Sequence, residues 1–299
     1  MHKAEDSVNL NERITKRYCA TKKVLSNFEI PTVPSVLTEL REVFSRKLVN
    51  SNDVARIIES NNVVTGDFLH IVNAGIVFKK PDFKIERVKD ALEFAGVDNS
   101  ALIDVVTTLA MKNAFPGERC NPRFQEMMDY SSDIAFLCKE IVEQMPEIKP
   151  HEAYMFGLFA DVGYIMLNMI DARYFELFDL AKTKSELSLK KEIDLGADHA
   201  CAGYIMARAW DLPNWLKGAI LFHHEELEQV GVKLGPYVED IVSVYRVATH
   251  IYNEIGLGKY ITEVQRESFY KEVARLDLDH RFLAKVRREY LVYDGRGVA

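Results

Sequence analysis

Residues 196–225, GADHACAGYIMARAWDLPNWLKGAILFHHE, admit little except two helices meeting at a tight corner. From His199 the small and apolar positions Ala200, Gly203, Tyr204, Ala207 and Trp210 recur at spacings of three and four, one face of a helix. Asp211-Leu212-Pro213 breaks that helix, and Pro213 suits the start of the next, where a first-turn residue needs no backbone N–H partner. His199 lies 11 residues before Trp210, and His224 lies 11 residues after Pro213. At about 1.5 Å per residue both arms climb roughly 16 Å from the corner. Antiparallel arms therefore bring His199 level with His223 and His224, three imidazoles that invite a metal or an anion.

The rest of the chain carries the same helical periodicity and almost no alternating β pattern, so the fold expected is all-α. A polar leader, 1–28, precedes an extended opening at Ile30-Pro-Thr-Val-Pro34, because a residue before proline is pushed out of the α region. Five short amphipathic helices follow, with cap chemistry at Ser51-Asn52-Asp53 and helix stops at Gly75 and Gly96. Phe115 to Pro122 is the clearest break. Beyond it, Asn121 and Pro122 open a long helix carrying Met127, Tyr130, Ile134 and Leu137 on one side. An apolar helix around Asp161, one from Asp171 through Lys182, the hairpin, a helix from Pro236 stopped at Gly256, a capping box at Thr262 and Gln265, and a basic last helix complete the order. The division expected is a leader at 1–28, a domain at 29–230 made of two packed helical lobes (29–115 and 121–230), and a helical extension at 231–299 packed on the second lobe.

Charge and cysteines narrow the function classes. A net charge of -7 gives no basic face for a phosphate backbone, and the hairpin shows few outward Lys or Arg, so nucleic acid is not expected as a partner. The start has no apolar core of a signal peptide, and the apolar run Tyr154 to Ile170 carries Asp161 near its centre, which reads as buried core rather than a membrane span. Four cysteines (Cys19, Cys120, Cys138, Cys201) form no CxxC pair, which suits a reducing cytoplasm.

The order of these features resembles the HDOD proteins, catalytically degenerate relatives of the HD and HD-GYP phosphohydrolases, from about Ile30 to Glu225. The motifs that carry the resemblance are IPTVP; IIESNNVVTGDFLHIVNAGIVF, with Asn73-Ala74-Gly75 at an Asn-Ser-Ala signature; VKDALEFAG; and above all AWDLPNWLKGAILFHHE. Two departures stand out: Asn61-Asn62 where Asp-Pro is usual, and Ala74 where Ser is usual. The resemblance also implies where an active enzyme would hold its metal. The first His would fall at Tyr130, the His-Asp pair at Ala160-Asp161 and the final Asp near Thr249, so only Asp161 remains of four. His199, His223 and His224 match the outer histidines that HD-GYP enzymes use for additional metals.

Two readings of the retained residues stay open. Asp161, among apolar neighbours, needs a partner because an unpaired buried carboxylate costs several kcal/mol: a helix cap, a histidine of the hairpin, or a metal. His199 opens a helix and is expected to be neutral there. His223 and His224, adjacent on a helix, point about 100° apart and share one ion only if the helix ends there. The expectation is a non-catalytic bacterial signal-transduction protein without a cofactor, acting through a signalling protein partner, with a homodimer contact and a nucleotide second messenger as further options. The alternative is a metal-dependent phosphohydrolase with iron, zinc or manganese on Asp161, His199 and His223 or His224.

Overall fold

A computed structural model describes residues 2–44, 46, 49–74, 81–95, 99–115, 121–225, 234–257 and 261–293. Fifteen α-helices and no strand occur among them, as the periodicity predicts. Helix α1 (His2–Val24) is followed by the extended proline segment and by five short helices: α2 (Ser35–Phe44), α3 (Ser51–Glu59), α4 (Asn62–Ala74), α5 (Val88–Ala95) and α6 (Asn99–Lys112). The cap of α3 is Asn50, one residue before the expected cluster, its side chain accepting from the Asn52 N–H. The expected stops at Gly75 and Gly96, and most of the Phe115–Pro122 break, lie outside the described residues.

The second set opens with α7 (Pro122–Ile141), where Asn121 caps and Pro122 takes the first turn. The apolar run that follows is two helices, not one: α8 (Pro150–Phe159) and α9 (Val162–Ile170), with Ala160 and Asp161 at the break. By length and composition 150–170 could cross a membrane, but most of it is buried inside this fold, where it forms core. Helix α10 (Arg173–Leu195) outruns the expected stop at Lys182 by more than three turns, ending at Gly196 in the left-handed conformation (φ 98°) that glycine adopts without strain. The hairpin is α11 (His199–Ala209) and α12 (Asn214–Phe222). Helix α13 (Pro236–Leu257) runs through Gly256, and α14 (Glu263–Arg275) begins with the capping box of Thr262 and Gln265, both hydrogen bonds made. Helix α15 (His280–Tyr293) ends the described chain.

One apolar core runs unbroken from α2 to α15, with Leu37, Leu40, Ile58 and Phe68 at one end and Leu137, Phe156, Phe159 and Trp210 at the other. Small residues set how closely the central helices approach. A Cβ at Gly163 would fall 1.9 Å from the His199 carbonyl oxygen, so α9 meets the first turn of α11 at a distance only glycine allows. The leader is a helix docked by one face, its described residues otherwise mostly exposed. Ile14, Arg17 and Thr21 are buried, and α1 lies across α11. Two basic residues of α15 pair with acids of the same chain, Lys285 with Glu143 and Arg287 with Glu254.

Candidate metal centre

The corner does what its spacing predicts. The α11 and α12 arms pack antiparallel, and His199 Nε2 comes within 3.3 Å of His223 Nε2 and 2.8 Å of His224 Nε2. Both adjacent histidines reach the same point because α12 ends at Phe222, leaving His223 as its C-cap and His224 in the turn. Asp161 arrives from the break between α8 and α9. It occupies the N-cap position of α9 yet caps nothing; its Oδ1 stands 3.5 Å from His199 Nε2 and 3.7 Å from His223 Nε2. Four ligand atoms, one each from Asp161, His199, His223 and His224, lie within 4.8 Å of one another.

The outer edges of these groups are already committed. His223 Nδ1 lies 2.7 Å from the Ile220 carbonyl, which only accepts, so that nitrogen carries the proton and Nε2 turns its lone pair inward. His199 Nδ1 lies 2.7 Å from Glu192 Oε2, a carboxylate that also accepts from the His199 backbone N–H (2.8 Å) and the Tyr164 hydroxyl (2.5 Å). The Tyr164 ring stacks on His199, centroids 4.0 Å apart and planes 12° from parallel. Asp161 Oδ2 accepts from the Tyr245 hydroxyl at 2.5 Å, leaving Oδ1 to the centre. Two inward lone pairs 3.3 Å apart beside a carboxylate repel unless a proton or a cation stands between them. Ligand nitrogens on one tetrahedral zinc stand about 3.3 Å apart. Metal-ligating histidines are commonly oriented in this way, the far ring N–H held by a carboxylate or a backbone carbonyl. The residues present fit a single divalent ion.

Titration follows the same geometry. Burial pushes the Asp161 carboxyl up, but the His223 and His199 imidazoles and the Tyr245 hydroxyl together hold it below the usual range. Burial opposes charge on His199 as well, while Glu192, Asp161 and Asp198 raise it above the ordinary imidazole value. His224 goes the other way: burial first, then its neighbours His223, His199, Arg246 and Arg17, push it well below its ordinary value.

The other mapped positions stand outside this cluster of four. Tyr130 is buried with its ring edge-on to Phe178 and Tyr252, and its hydroxyl neighbours those of Thr249 and Tyr245. Thr249 donates back to the Tyr245 carbonyl at 2.9 Å, and Ala160 is fully buried. Tyr130 and Thr249 instead line a cavity of about 230 Å³ that opens against Asp161, His223 and His224. Its walls bring three cationic side chains, Lys182, Arg246 and Lys271, with Asn253 and residues of α14 opposite. Arg246 holds the histidine turn from this side through the carbonyls of His223 (3.1 Å) and Glu225 (2.6 Å) and pairs with Glu272.

Sequence reasoning missed Glu192, Tyr245, Tyr164, Arg17 and Arg246. Glu192 sits in SLKKEIDL, a string that reads as a solvated helix face, and the signal that could have found it is its place just under two turns before His199. Arg17 lies in a polar leader with nothing apolar enough to mark a buried face.

Structures of known proteins share this architecture. An HDOD domain protein of unknown function from Geobacter sulfurreducens aligns at TM-score 0.64 and 20% identity, over 93% of this chain and 98% of that one. A protein from Shewanella amazonensis SB2B, provisionally described as a phosphohydrolase, aligns at TM-score 0.67 and 18% identity over 93% and 95% of the two chains. One from Marinobacter aquaeolei VT8, provisionally described as a signal transduction protein, aligns at 0.61 and 15% over 99% and 65%. At these identities the likeness shows the fold alone. No curated protein matches the chain. The HDOD domain family matches residues 30–226, from the proline opening to the turn after the paired histidines, and this chain belongs to that family.

Proposed function

We propose that this protein is a signal-transduction regulator whose HDOD domain holds one divalent transition-metal ion on Asp161, His199, His223 and His224, and whose adjoining cavity receives a small anionic signal. The observation that carries the reading is the convergence of four electron-pair donors within 4.8 Å, with the far sides of His199, His223 and Asp161 already tied to Glu192, Ile220 and Tyr245. Zinc, iron and manganese all suit three imidazoles and a carboxylate, and an ion there would neutralise the inward lone pairs and fix the hairpin against α9. Four protein ligands leave a tetrahedral ion no open position for water, which favours a sensing or structural centre over hydrolysis. The other three positions to which the resemblance assigns an active enzyme's metal ligands are Tyr130, Ala160 and Thr249, none of them a histidine or a carboxylate.

A second reading, a remodelled phosphohydrolase, draws on the cavity: Lys182, Arg246 and Lys271 beside the centre would complement a phosphate ester, and a centre with more than four coordination positions would admit water. Metal content of the purified protein tests the first reading. Close to one equivalent of transition metal is expected, abolished in Asp161→Ala, with no turnover of phosphomonoesters or cyclic dinucleotides. Absence of metal after loading with zinc, iron and manganese overturns it. Metal-dependent turnover lost in the same variant establishes the second reading instead.

A further inference from the structure

Helix α1 lies outside the residues the family shares, yet its Arg17 is among the most enclosed charges in the chain, 6% exposed. Its guanidinium spans two carboxylates that are far apart in sequence. Nε and Nη2 donate to the two oxygens of Asp198 at 3.2 and 3.0 Å, and Nη1 donates to Glu225 Oε1. Both acids are buried, at 1% and 3% exposure. Asp198 is the residue immediately before His199, and Glu225 the residue immediately after His224. Asp198 also accepts from the Cys201 N–H at 2.9 Å as the cap of α11, and its own N–H donates to Thr21 of α1 at 3.1 Å. Arg13 adds a second contact to Glu225 from a half-exposed side chain.

We propose that Arg17 is a positioning residue of the metal centre, and that α1 is a strap whose docking sets the separation of His199 and His224. The proposal rests on the metal reading above and deepens it. Each histidine is one peptide bond from a carboxylate that the same guanidinium grips, so the two open ends of the hairpin are tied across their mouth. Arg246 supports the His223–Glu225 turn by its carbonyls and does not touch Asp198, so it cannot replace that tie. Without Arg17, two buried anions face one another with only the half-exposed Arg13 beside Glu225, and the ends that carry His199 and His224 spread. The centre's geometry thereby answers to whether α1 is docked, which gives a regulatory contact at the leader a route to the metal.

Cobalt(II) titration of the full chain, followed by visible absorption and by chelator competition, tests this. Arg17→Met is expected to weaken cobalt about tenfold or more, the usual scale for loss of an outer-shell partner, and to shift the ligand-field bands. Arg17→Lys should recover much of the affinity, and Arg13→Met should stay close to wild type. Wild-type affinity and spectrum in Arg17→Met overturn the proposal. Should Arg17→Met not fold, Glu225→Gln, which halves the clamp at nearly constant volume, takes its place with the same expectations. A wild type that binds no cobalt overturns the metal reading by itself. In that event the strap is read from imidazole nitrogen chemical shifts: movement of the His199 and His224 signals but not that of His250 on replacing Arg17 sustains it, and unmoved signals overturn it.

Discussion

The helices α2–α6 and the helices α7–α13 share one core but are built on opposite terms. Among the described residues of α2–α6 the buried polar side chains are Thr107 and Thr108, hydroxyls that a helix tolerates without cost to its neighbours. Among those of α7–α13 and their connections lie Glu140, Asp161, Glu192, Asp198, His199, His223 and Glu225, with Arg17 brought in from α1. Burying an ionisable group costs several kcal/mol unless partners restore what water gave it, and a helical bundle has no structural need for seven. Six of them sit at or beside one point. The first set shows what this chain needs in order to fold; the second shows what it retains for another purpose.

Four variants would break or sharpen that contrast, beginning with the largest effect. Gly163→Ala forces a Cβ to 1.9 Å from the His199 carbonyl, against backbone that cannot yield, and should cost about 4–5 kcal/mol or more, seen as failure to accumulate folded protein or as early urea unfolding. Phe68→Ala, fully buried in α4, should cost about 3–5 kcal/mol by cavity formation while leaving metal stoichiometry untouched; altered metal binding there would erase the distinction between the two sets. Arg17→Met should cost about 3 kcal/mol, the scale for breaking a buried pair from one side.

That last variant carries a pH signature. Burial raises the Asp198 carboxyl, but Arg17, by charge and hydrogen bond, pulls it below the usual range. A depressed carboxyl contributes stability above its unfolded value and surrenders it as pH falls below about 4. Chemical denaturation between pH 7 and 3 should therefore show a steeper acid loss in wild type than in Arg17→Met. The smallest effect on folding belongs to Asp161→Asn, which preserves volume and the Tyr245 contact. It should change stability without metal by about 1 kcal/mol or less, yet remove the bound ion; equal metal content in variant and wild type would mean that Asp161 is not a ligand.

Much of the architecture was written in periodicity and caps. Asn121-Pro122, the capping box at Thr262 and Gln265, and the corner at Pro213 each announced a boundary the structure keeps, because a cap acts within one turn and is visible locally. The convergence of His199 with His223 and His224 was legible for a related reason: two arms of equal length from one corner return to one level. What stayed hidden depends on tertiary contact. The end of α12 at Phe222, which lets adjacent histidines share a target, has no glycine or proline to mark it. The break at Ala160-Asp161 falls inside an apolar run that local propensity would continue. Glu192, Arg17 and Tyr245 are ordinary surface-type or core-type residues until the fold brings them beside a charge.

The continuity of the apolar core has a mechanical consequence. Because the two sets of described helices share one apolar core, they should melt in one cooperative step. A guest in the cavity beside the centre would press on the helices that wall it. The wall least anchored is α14, whose packing is chiefly against α13 and which supplies Gln265, Ser268, Phe269, Lys271 and Glu272 to that space. Its outward face carries Tyr270 and Val264, both solvent-exposed, so a small tilt of one peripheral helix would reshape what the surface presents.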